Sequence, residues 1–166
     1  MSNREFLIIL SHMIRRPDYA SLLDRAQEVI SSPGRTDVRL KMICKLLASA
    51  IEYYNWVGFY LTEPGLPELV LGPYVGSPTD HIRIAFGQGI CGQAADLKRT
   101  FLIDDVTLET NYLACSPLVR SEIVVPVVRA NRVIGEIDID SHLPSAFGEE
   151  DRRFLEELSG RVEPLL

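Results

Sequence analysis

The sequence predicts an α+β domain in which helices flank a central antiparallel β-sheet. Three observations favour this class: apolar residues at helical spacing, several short β-branched segments, and turn residues that separate those segments. The chain has 166 residues, of which 46% are hydrophobic, so it is long enough to bury one core and fold as one domain. Short strands joined by turns favour antiparallel order, because parallel neighbours require a long crossover.

Two helices are predicted near the N-terminus, over 5–14 and 19–30. Pro17 interrupts the helical pattern between them, and a Ser-Ser-Pro-Gly run ends the second helix. Both helices precede the segment that carries the main pattern. We therefore expect residues 1–35 to form an N-terminal helical extension and residues 36–166 to form the main domain.

The next helix begins near Asp37 and carries one apolar face with three- and four-residue spacing, which is typical of an amphipathic helix. The residues of this face are Met42, Ile43, Leu46, Leu47, Ala50, Ile51 and Tyr54. We expect the face to pack across the sheet. Cys44 lies just off the face and is expected to be a structural residue.

Three strands are predicted next, over 56–61, 68–72 and 81–85, with Pro- and Gly-containing turns between them. A short helix then begins near Ile90 and is followed by an extended segment at 101–103. These short elements alternate with turns, as expected for an antiparallel sheet.

The segment 104–119 lacks periodicity and is predicted to be a long loop, a kind of segment that often carries function. The clearest hairpin pairs 121–129 with 132–140 through a two-residue polar turn. A closing helix is predicted from Glu149, because acidic residues in a first turn suit the helix dipole.

Composition argues against several classes of function. The formal charge of −6 and the scattered basic residues leave no positive field for phosphates, so no nucleic-acid partner is expected. The apolar run over 6–10 is too short to span a membrane and lacks a cleavage pattern, so we expect a cytoplasmic protein. The three cysteines are an odd number without metal-binding spacing, which argues against a disulfide framework and a metal site.

Two aspartates near the end of the hairpin are the first candidate functional residues. Asp138 and Asp140 alternate with Ile137 and Ile139, which puts both carboxyl groups on one face of their strand. Like charges on one face repel unless a cation or a proton lies between them. The pair therefore indicates a binding site more than a structural feature.

Two cysteines and a glutamate are further candidates. Cys91 follows Gly87-x-Gly89 and falls in the first turn of a predicted helix, where backbone N–H groups and the dipole are expected to lower the pKa of the thiol. Burial as a small apolar side chain is an equally weighted alternative for Cys91. Cys115 lies in the polar loop, which favours a reactive thiol, whereas Glu122 alone also fits a solvated strand end.

Six motifs follow one another along the chain. They are Asn55-Trp56-Val57-Gly58-Phe59-Tyr60-Leu61, Leu69-Val70-Leu71-Gly72-Pro73-Tyr74, Gly87-x-Gly89-Ile90-Cys91-Gly92, Ala114-Cys115, Ser121-Glu122-Ile123-Val124 and Ile134-Gly135-x-Ile137-Asp138-Ile139-Asp140-Ser141. In this order the motifs resemble GAF domains and, within that superfamily, the free methionine-R-sulfoxide reductases. The combination is far more specific than a lone glycine pattern. The resemblance implies a GAF-like fold over about 37–158.

The resemblance implies a substrate-binding role for five residues. Glu122, Asp138 and Asp140 are expected to bind the ammonium group of free methionine sulfoxide and to polarise or protonate its sulfoxide oxygen. Trp56 and Tyr60 match aromatic residues that wall the methylsulfinyl pocket, although Trp56 alone would be assigned to the core. The implied reaction is reduction of free L-methionine-(R)-S-oxide to L-methionine, without a bound cofactor or metal.

The resemblance implies that Cys115 is the nucleophile, which attacks the sulfoxide sulfur and becomes a sulfenic acid. The sequence departs from the family at His81, where members that form an internal disulfide carry a cysteine ten residues before the position of Cys91. Three alternatives follow from this departure. Cys91 resolves the sulfenic acid, an outside thiol such as thioredoxin or glutathione reduces it, or turnover is lost and the pocket remains a binding site.

A second function stays open beside the enzyme. Many GAF domains bind small molecules as regulatory modules, and such a module would bind a metabolite without consuming it. The expected absence of an output domain favours the enzyme. The resemblance also allows a homodimer, with the N-terminal helices as an available interface.

Overall fold

The computed structural model of the protein describes residues 17–113 and 116–166. The helix predicted over 5–14 and the candidate nucleophile Cys115 therefore lie outside the described residues. Within the described ranges, no helix combines the length and the apolar character that a membrane crossing requires.

The described part of the chain forms helices on both sides of one antiparallel sheet. The α-helices are α1 (Tyr19–Ser31), α2 (Thr36–Ala50), α3 (Gly89–Leu97) and α4 (Glu149–Val162). The strands are β1 (Trp56–Thr62), β2 (Glu68–Val75), β3 (Arg83–Ala85), β4 (Phe101–Ile103), β5 (Ser121–Arg129) and β6 (Arg132–Ser141). Short 3₁₀ helices cover Val106–Leu108 and Glu163–Leu165. The predicted α+β class is confirmed, and most predicted elements lie within a few residues of the observed ones.

The six strands lie in the order β3-β2-β1-β6-β5-β4, and every neighbouring pair is antiparallel. The predicted β5–β6 hairpin is present, and β6 lies next to β1 at the centre of the sheet. Its turn residues Ala130 and Asn131 have φ values of 47° and 63°. Positive φ at both positions is the geometry of a tight two-residue hairpin turn, which matches the twist of the strands.

One face of the sheet carries the main hydrophobic core, covered by α1, α2 and α4. Ile123, Ile137 and Ile139 point into this core from β5 and β6. The apolar face predicted for α2 is wrong at Met42, which is 45% exposed, and at Ala50, which is also exposed. The observed face is rotated towards Cys44, which is fully buried. The i, i+3, i+4, i+7 series that packs on the sheet is Leu40, Ile43, Cys44 and Leu47.

Helix α1 packs against α2 and α4 and contributes to the same core. Its buried residues are Leu22, Leu23, Ala26 and Ile30. The proposed division of the chain at residue 35 stays a prediction. What the described structure adds is that this helix and the main domain share apolar contacts.

The opposite face of the sheet is covered by α3 and by the loop that follows β4. A second cluster of buried apolar residues lies here, and it includes Trp56, Tyr60, Ile90, Cys91 and Val124. Side chains alternate along a strand, so the residues next to Ile123 on β5 and next to Ile137 and Ile139 on β6 point to this opposite side.

Candidate functional site

Four carboxyl groups occupy the α3 side of the sheet. Asp138 and Asp140 lie on β6, as the alternation predicts, and the β5 register sets Glu122 directly opposite Asp140. Glu136 lies two residues before Asp138 and therefore points to the same face. We call Glu122, Glu136, Asp138 and Asp140 the acidic cluster. Glu136 is not among the predicted site residues, although the same alternation, extended by one step, identifies it.

The acidic cluster is buried, with each of its residues at most 4% exposed. Six of its eight carboxyl oxygens accept no hydrogen bond from any described residue: Oε2 of Glu122, both oxygens of Glu136, both of Asp138, and Oδ2 of Asp140. A buried carboxylate without a donor or a cation is strongly unfavourable. This face of the sheet is therefore built for positive charge or for protons.

The pKa values of the cluster follow from this environment. Burial raises the pKa of Asp138 to about 7, while the neighbouring Cys91 and Glu122 moderate the rise. Burial, followed by repulsion from Asp138, raises the pKa of Asp140 well above the ordinary range. The pKa values of Glu122 and Glu136 are raised for the same two reasons. Part of the cluster therefore holds protons at neutral pH.

Cys91 lies in the first turn of α3, where the sequence predicts it, and its thiol faces the acidic cluster. Sγ donates to Oε1 of Glu122 at 3.8 Å. The predicted lowering of the Cys91 pKa is wrong: burial, followed by repulsion from Asp138, Glu136 and Glu122, raises it well above its ordinary value. The helix dipole acts with about half a unit charge, and several nearby carboxyl groups outweigh it.

The start of α3 and the long loop are joined by one side chain. Oδ1 of Asn111 accepts from the backbone N–H of Gly89 at 3.1 Å, and its Nδ2 donates to the carbonyl of Gly87 at 2.9 Å. Gly89 has φ of 64°, and a Cβ there would lie 2.9 Å from Leu113. Asn111 therefore fixes the loop beside Cys91, four residues before Cys115 in sequence, and it is a site residue that the sequence prediction does not include.

Aromatic side chains form a wall of the same region. The rings of Trp56 and Tyr60 are stacked with centroids 6.4 Å apart, and Tyr74 stacks on Trp56 at 5.3 Å. The β1–β6 register sets Trp56 opposite Asp140 and Tyr60 opposite Glu136. Tyr60 also donates to the carbonyl oxygen of His81 at 2.8 Å. The two predicted aromatic residues thus adjoin the acidic cluster.

The structure brings together six of the seven residues that the sequence predicts for the site. They are Trp56, Tyr60, Cys91, Glu122, Asp138 and Asp140, and the seventh is Cys115. Sγ of Cys91 and one oxygen each of Glu122 and Asp138 lie within 4.8 Å of one another, a spacing that one cation can bridge. An apolar aromatic wall beside acidic groups suits a small molecule with an amino group and an apolar chain.

Comparison with known proteins agrees with this geometry. The family model described as GAF domain matches residues 40–165. Free methionine-R-sulfoxide reductase of Escherichia coli is 39% identical over 121 residues, which cover 73% of this chain and 72% of that protein. The Saccharomyces cerevisiae enzyme of the same name is 33% identical over 164 residues, which cover 89% of this chain and 91% of that one.

A solved structure extends the comparison to three dimensions. Free methionine-R-sulfoxide reductase from Neisseria meningitidis, in complex with its substrate, superposes with a TM-score of 0.84 at 37% identity. The match covers 89% of this chain and 87% of that one. The chain therefore belongs to the GAF domain family, and its relatives in that family include free methionine-R-sulfoxide reductases.

Proposed function

We propose that this protein reduces free L-methionine-(R)-S-oxide to L-methionine. The observation that carries the proposal is the buried acidic cluster beside a cysteine and an aromatic wall, in a chain similar to reductases of this name. The cluster explains the choice of substrate class. A free amino acid brings an ammonium group, whereas a methionine sulfoxide within a polypeptide has none at that position.

Substrate recognition uses charge on one side and apolar contact on the other. The carboxyl groups of Glu122, Asp138 and Asp140 accept hydrogen bonds from the ammonium group, and protonated members of the cluster donate to the sulfoxide oxygen. Trp56 and Tyr60 contact the methyl and methylene groups next to sulfur. Burial strengthens these polar interactions because little water competes with them.

The chemical step transfers oxygen from the substrate to a cysteine. The Cys115 thiolate attacks the sulfoxide sulfur while a carboxyl group of the cluster protonates the oxygen. The attack forms a transient S–S bond between Cys115 and the substrate. The S–O bond and this S–S bond then break as the protonated oxygen passes, as a hydroxyl group, to the Cys115 sulfur. The substrate sulfur is thereby reduced by two electrons and leaves as methionine, while the Cys115 sulfur is oxidised to a sulfenic acid. Proton transfer by a positioned acid typically contributes about 10²–10⁴ in rate.

Recycling requires a second thiol. Cys91 attacks the sulfur of the Cys115 sulfenic acid, so that water leaves and a Cys91–Cys115 disulfide forms. A thioredoxin-like dithiol then reduces the disulfide and takes up its oxidising equivalents. With His81 at the position where disulfide-forming relatives carry a cysteine, direct reduction of the sulfenic acid by an outside thiol is the alternative route.

A binding module without catalysis is the second candidate. The raised pKa of Cys91 favours it, because a thiol that stays protonated attacks slowly. In that case the pocket would bind methionine sulfoxide or a similar metabolite and leave it unchanged. A cytoplasmic location and a homodimer remain predictions under either function.

The test is incubation of purified protein with racemic free methionine sulfoxide and dithiothreitol. Chiral chromatography measures the methionine formed and the epimer that remains. We expect selective loss of the R epimer with wild-type protein and with Cys44→Ser, a matched control in which a buried thiol outside the site is replaced. Cys115→Ser should form no methionine. Binding of the sulfoxide without turnover by wild-type protein would establish the binding module instead.

A further inference from the structure

The acidic cluster contains more carboxyl groups than one substrate ammonium group requires. Four buried carboxyl groups and one thiol meet at the same point of the sheet, and they come from β5, β6 and α3. Glu136 adds to this excess, since it is fully buried and both its oxygens lack a hydrogen-bond donor among the described residues. The site therefore suits a ligand of higher positive charge than an ammonium group.

The geometry of three donors fits one metal ion. Sγ of Cys91 and Oε1 of Glu122 are 3.8 Å apart, and these donors lie within 4.8 Å of the nearest Asp138 oxygen. Zinc is bound at about 2.0–2.3 Å in tetrahedral geometry, which sets its ligands roughly 3.3–3.8 Å apart. The Cys91–Glu122 distance already lies at this separation. An Asp138 oxygen in the same group of atoms supplies the third donor.

The type of donor selects the class of metal. Magnesium and calcium prefer oxygen ligands alone, whereas zinc and similar borderline ions bind sulfur together with carboxylate oxygen. A thiol also becomes a ligand only after it loses its proton, and a divalent ion in direct contact removes that proton. Zinc is therefore the ion that best fits the sulfur and two oxygens at this site.

We propose that Cys91, Glu122 and Asp138 bind a divalent ion of the zinc class, which excludes methionine sulfoxide and inhibits the protein reversibly. The inhibitory part rests on the proposed function, because it requires the same carboxyl groups to bind the substrate. Metal binding does not rest on it. No bond is oxidised or reduced: the Cys91 thiol releases one proton to the buffer and its sulfur coordinates the ion. Closely spaced cysteine motifs would not reveal such a site, since its donors lie 31 and 16 residues apart in sequence.

Cobalt is the probe for the first experiment, because it substitutes for zinc and absorbs light when a thiolate binds it. Reduced full-length protein is titrated with Co²⁺ without oxygen, in the presence of a phosphine reductant. We expect one equivalent to bind with a thiolate-to-cobalt charge-transfer band, and one equivalent of Zn²⁺ to abolish that band. Absence of a charge-transfer band would overturn the proposal.

Variants identify the donors. Cys91→Ser should remove the band, whereas Cys44→Ser should retain it. Glu122→Gln and Asp138→Asn should each weaken Co²⁺ binding by at least about 10-fold, because each replaces a direct ligand and even the loss of a group that only supports a ligand costs about 10–100-fold. Retention of the band in Cys91→Ser with loss in Cys115→Ser would assign the metal to another thiol and contradict the site. Circular dichroism of each variant checks that the fold is intact.

Competition separates this inference from the proposed function. The R epimer of methionine sulfoxide should raise the apparent dissociation constant of Co²⁺, and Zn²⁺ should raise the KM for the sulfoxide. A charge-transfer band in a protein without reductase activity would refute the proposed function and leave the metal site standing. Full reductase activity without metal binding would refute the metal site alone.

Discussion

Among the described residues, buried carboxyl groups lie in two regions, and the two regions differ in how those groups are paired. Asp151, in the first turn of α4, accepts hydrogen bonds at Oδ1 from the hydroxyl groups of Tyr19, Tyr53 and Tyr54, at 2.8, 2.7 and 2.9 Å. Its Oδ2 accepts from the backbone N–H of Gly148 at 2.9 Å. In the acidic cluster, by contrast, six oxygens find no donor among the described residues.

This contrast distinguishes Asp151, a structural carboxylate, from the acidic cluster, whose carboxyl groups are functional. Four donors stabilise the charge of Asp151, so that this residue can join α1, the segment after α2 and the start of α4. Most oxygens of the acidic cluster have no hydrogen-bond donor in the described part of the chain. A ligand or protons must therefore supply the positive partner. Burial alone therefore does not identify a functional acid, whereas burial without donors does.

Removal of the paired carboxylate should have the largest effect on stability. Asp151→Ala removes the carboxylate acceptor of three buried or half-buried tyrosine hydroxyl groups, of which Tyr19 and Tyr53 can still bond to each other at 3.1 Å. Each hydroxyl group left unsatisfied costs about 1–3 kcal/mol. We expect the free energy of unfolding to fall by about 3–5 kcal/mol, as measured by urea denaturation. Asp24→Ala, at an exposed position on α1, should change it by less than about 0.5 kcal/mol. An equally small change in the free energy of unfolding of Asp151→Ala would contradict a structural role for Asp151.

Removal of an unpaired carboxylate should instead reduce activity. Asp138→Asn keeps the shape of the side chain but removes a charge for the substrate ammonium group and a proton donor for the sulfoxide oxygen. We expect kcat/KM to fall about 100-fold, which corresponds to about 2.7 kcal/mol. Steady-state kinetics with free methionine sulfoxide measures this effect. Asp96→Asn, at an exposed position on α3, is the matched control, and equal activity of the two variants would contradict the site.

The sequence predicts this contrast only in part. Alternation with Ile137 and Ile139 was enough to put Asp138 and Asp140 on one face, because strand periodicity is local. Pairing with donors is not local: Tyr19 and Asp151 are 132 residues apart in sequence. No pattern within a short window indicates that Asp151 is satisfied and Asp138 is not.

The pKa of Cys91 also depends on contacts that a short stretch of sequence does not predict. Its position in the first turn of a helix was correctly predicted, since Gly89 and the apolar residues after it mark that start. The direction of its pKa shift was wrong, because the carboxyl groups that determine it come from β5 and β6. The loop position of Asn111 was also evident, but its hydrogen bonds to Gly87 and Gly89 depend on the folded loop.

Glu136 offers a test of stability within the unpaired region. Replacing a buried ion pair by apolar residues of similar volume is often neutral or stabilising, by about 1–4 kcal/mol. A buried acidic group without a donor has the desolvation cost and no partner to offset it. We expect Glu136→Leu to raise the free energy of unfolding by about 1–2 kcal/mol, because the side chain is fully buried and its residue lies opposite Tyr60 on β1. Glu28→Leu, at an exposed site on α1, controls for added hydrophobicity. A loss of stability in Glu136→Leu would mean that the acidic cluster is satisfied after all.

The smallest effect should appear at alkaline pH in the paired region. Burial is the main cause that raises the pKa values of Tyr19, Tyr53 and Tyr54 above 10, and the negative charge of Asp151 adds to it. The folded protein therefore keeps tyrosine protons that the unfolded chain releases. Their contribution to stability is fully present below pH 10 and is lost as the pH rises above it.

Between pH 9 and pH 10.5, release of each such tyrosine proton by the unfolded chain should lower the free energy of unfolding by about 0.8 kcal/mol. Tyr53→Phe removes one of these titrating groups, so its loss of stability between the two pH values should be smaller than that of wild type by about this amount. Urea denaturation at both pH values measures the difference. Burial raises the pKa of Cys44 to about 12, so this thiol adds the same pH dependence of stability to both proteins. Equal losses in the two proteins would show that Tyr53 releases its proton without unfolding, and the region around Asp151 would then be less tightly closed than its hydrogen bonds indicate.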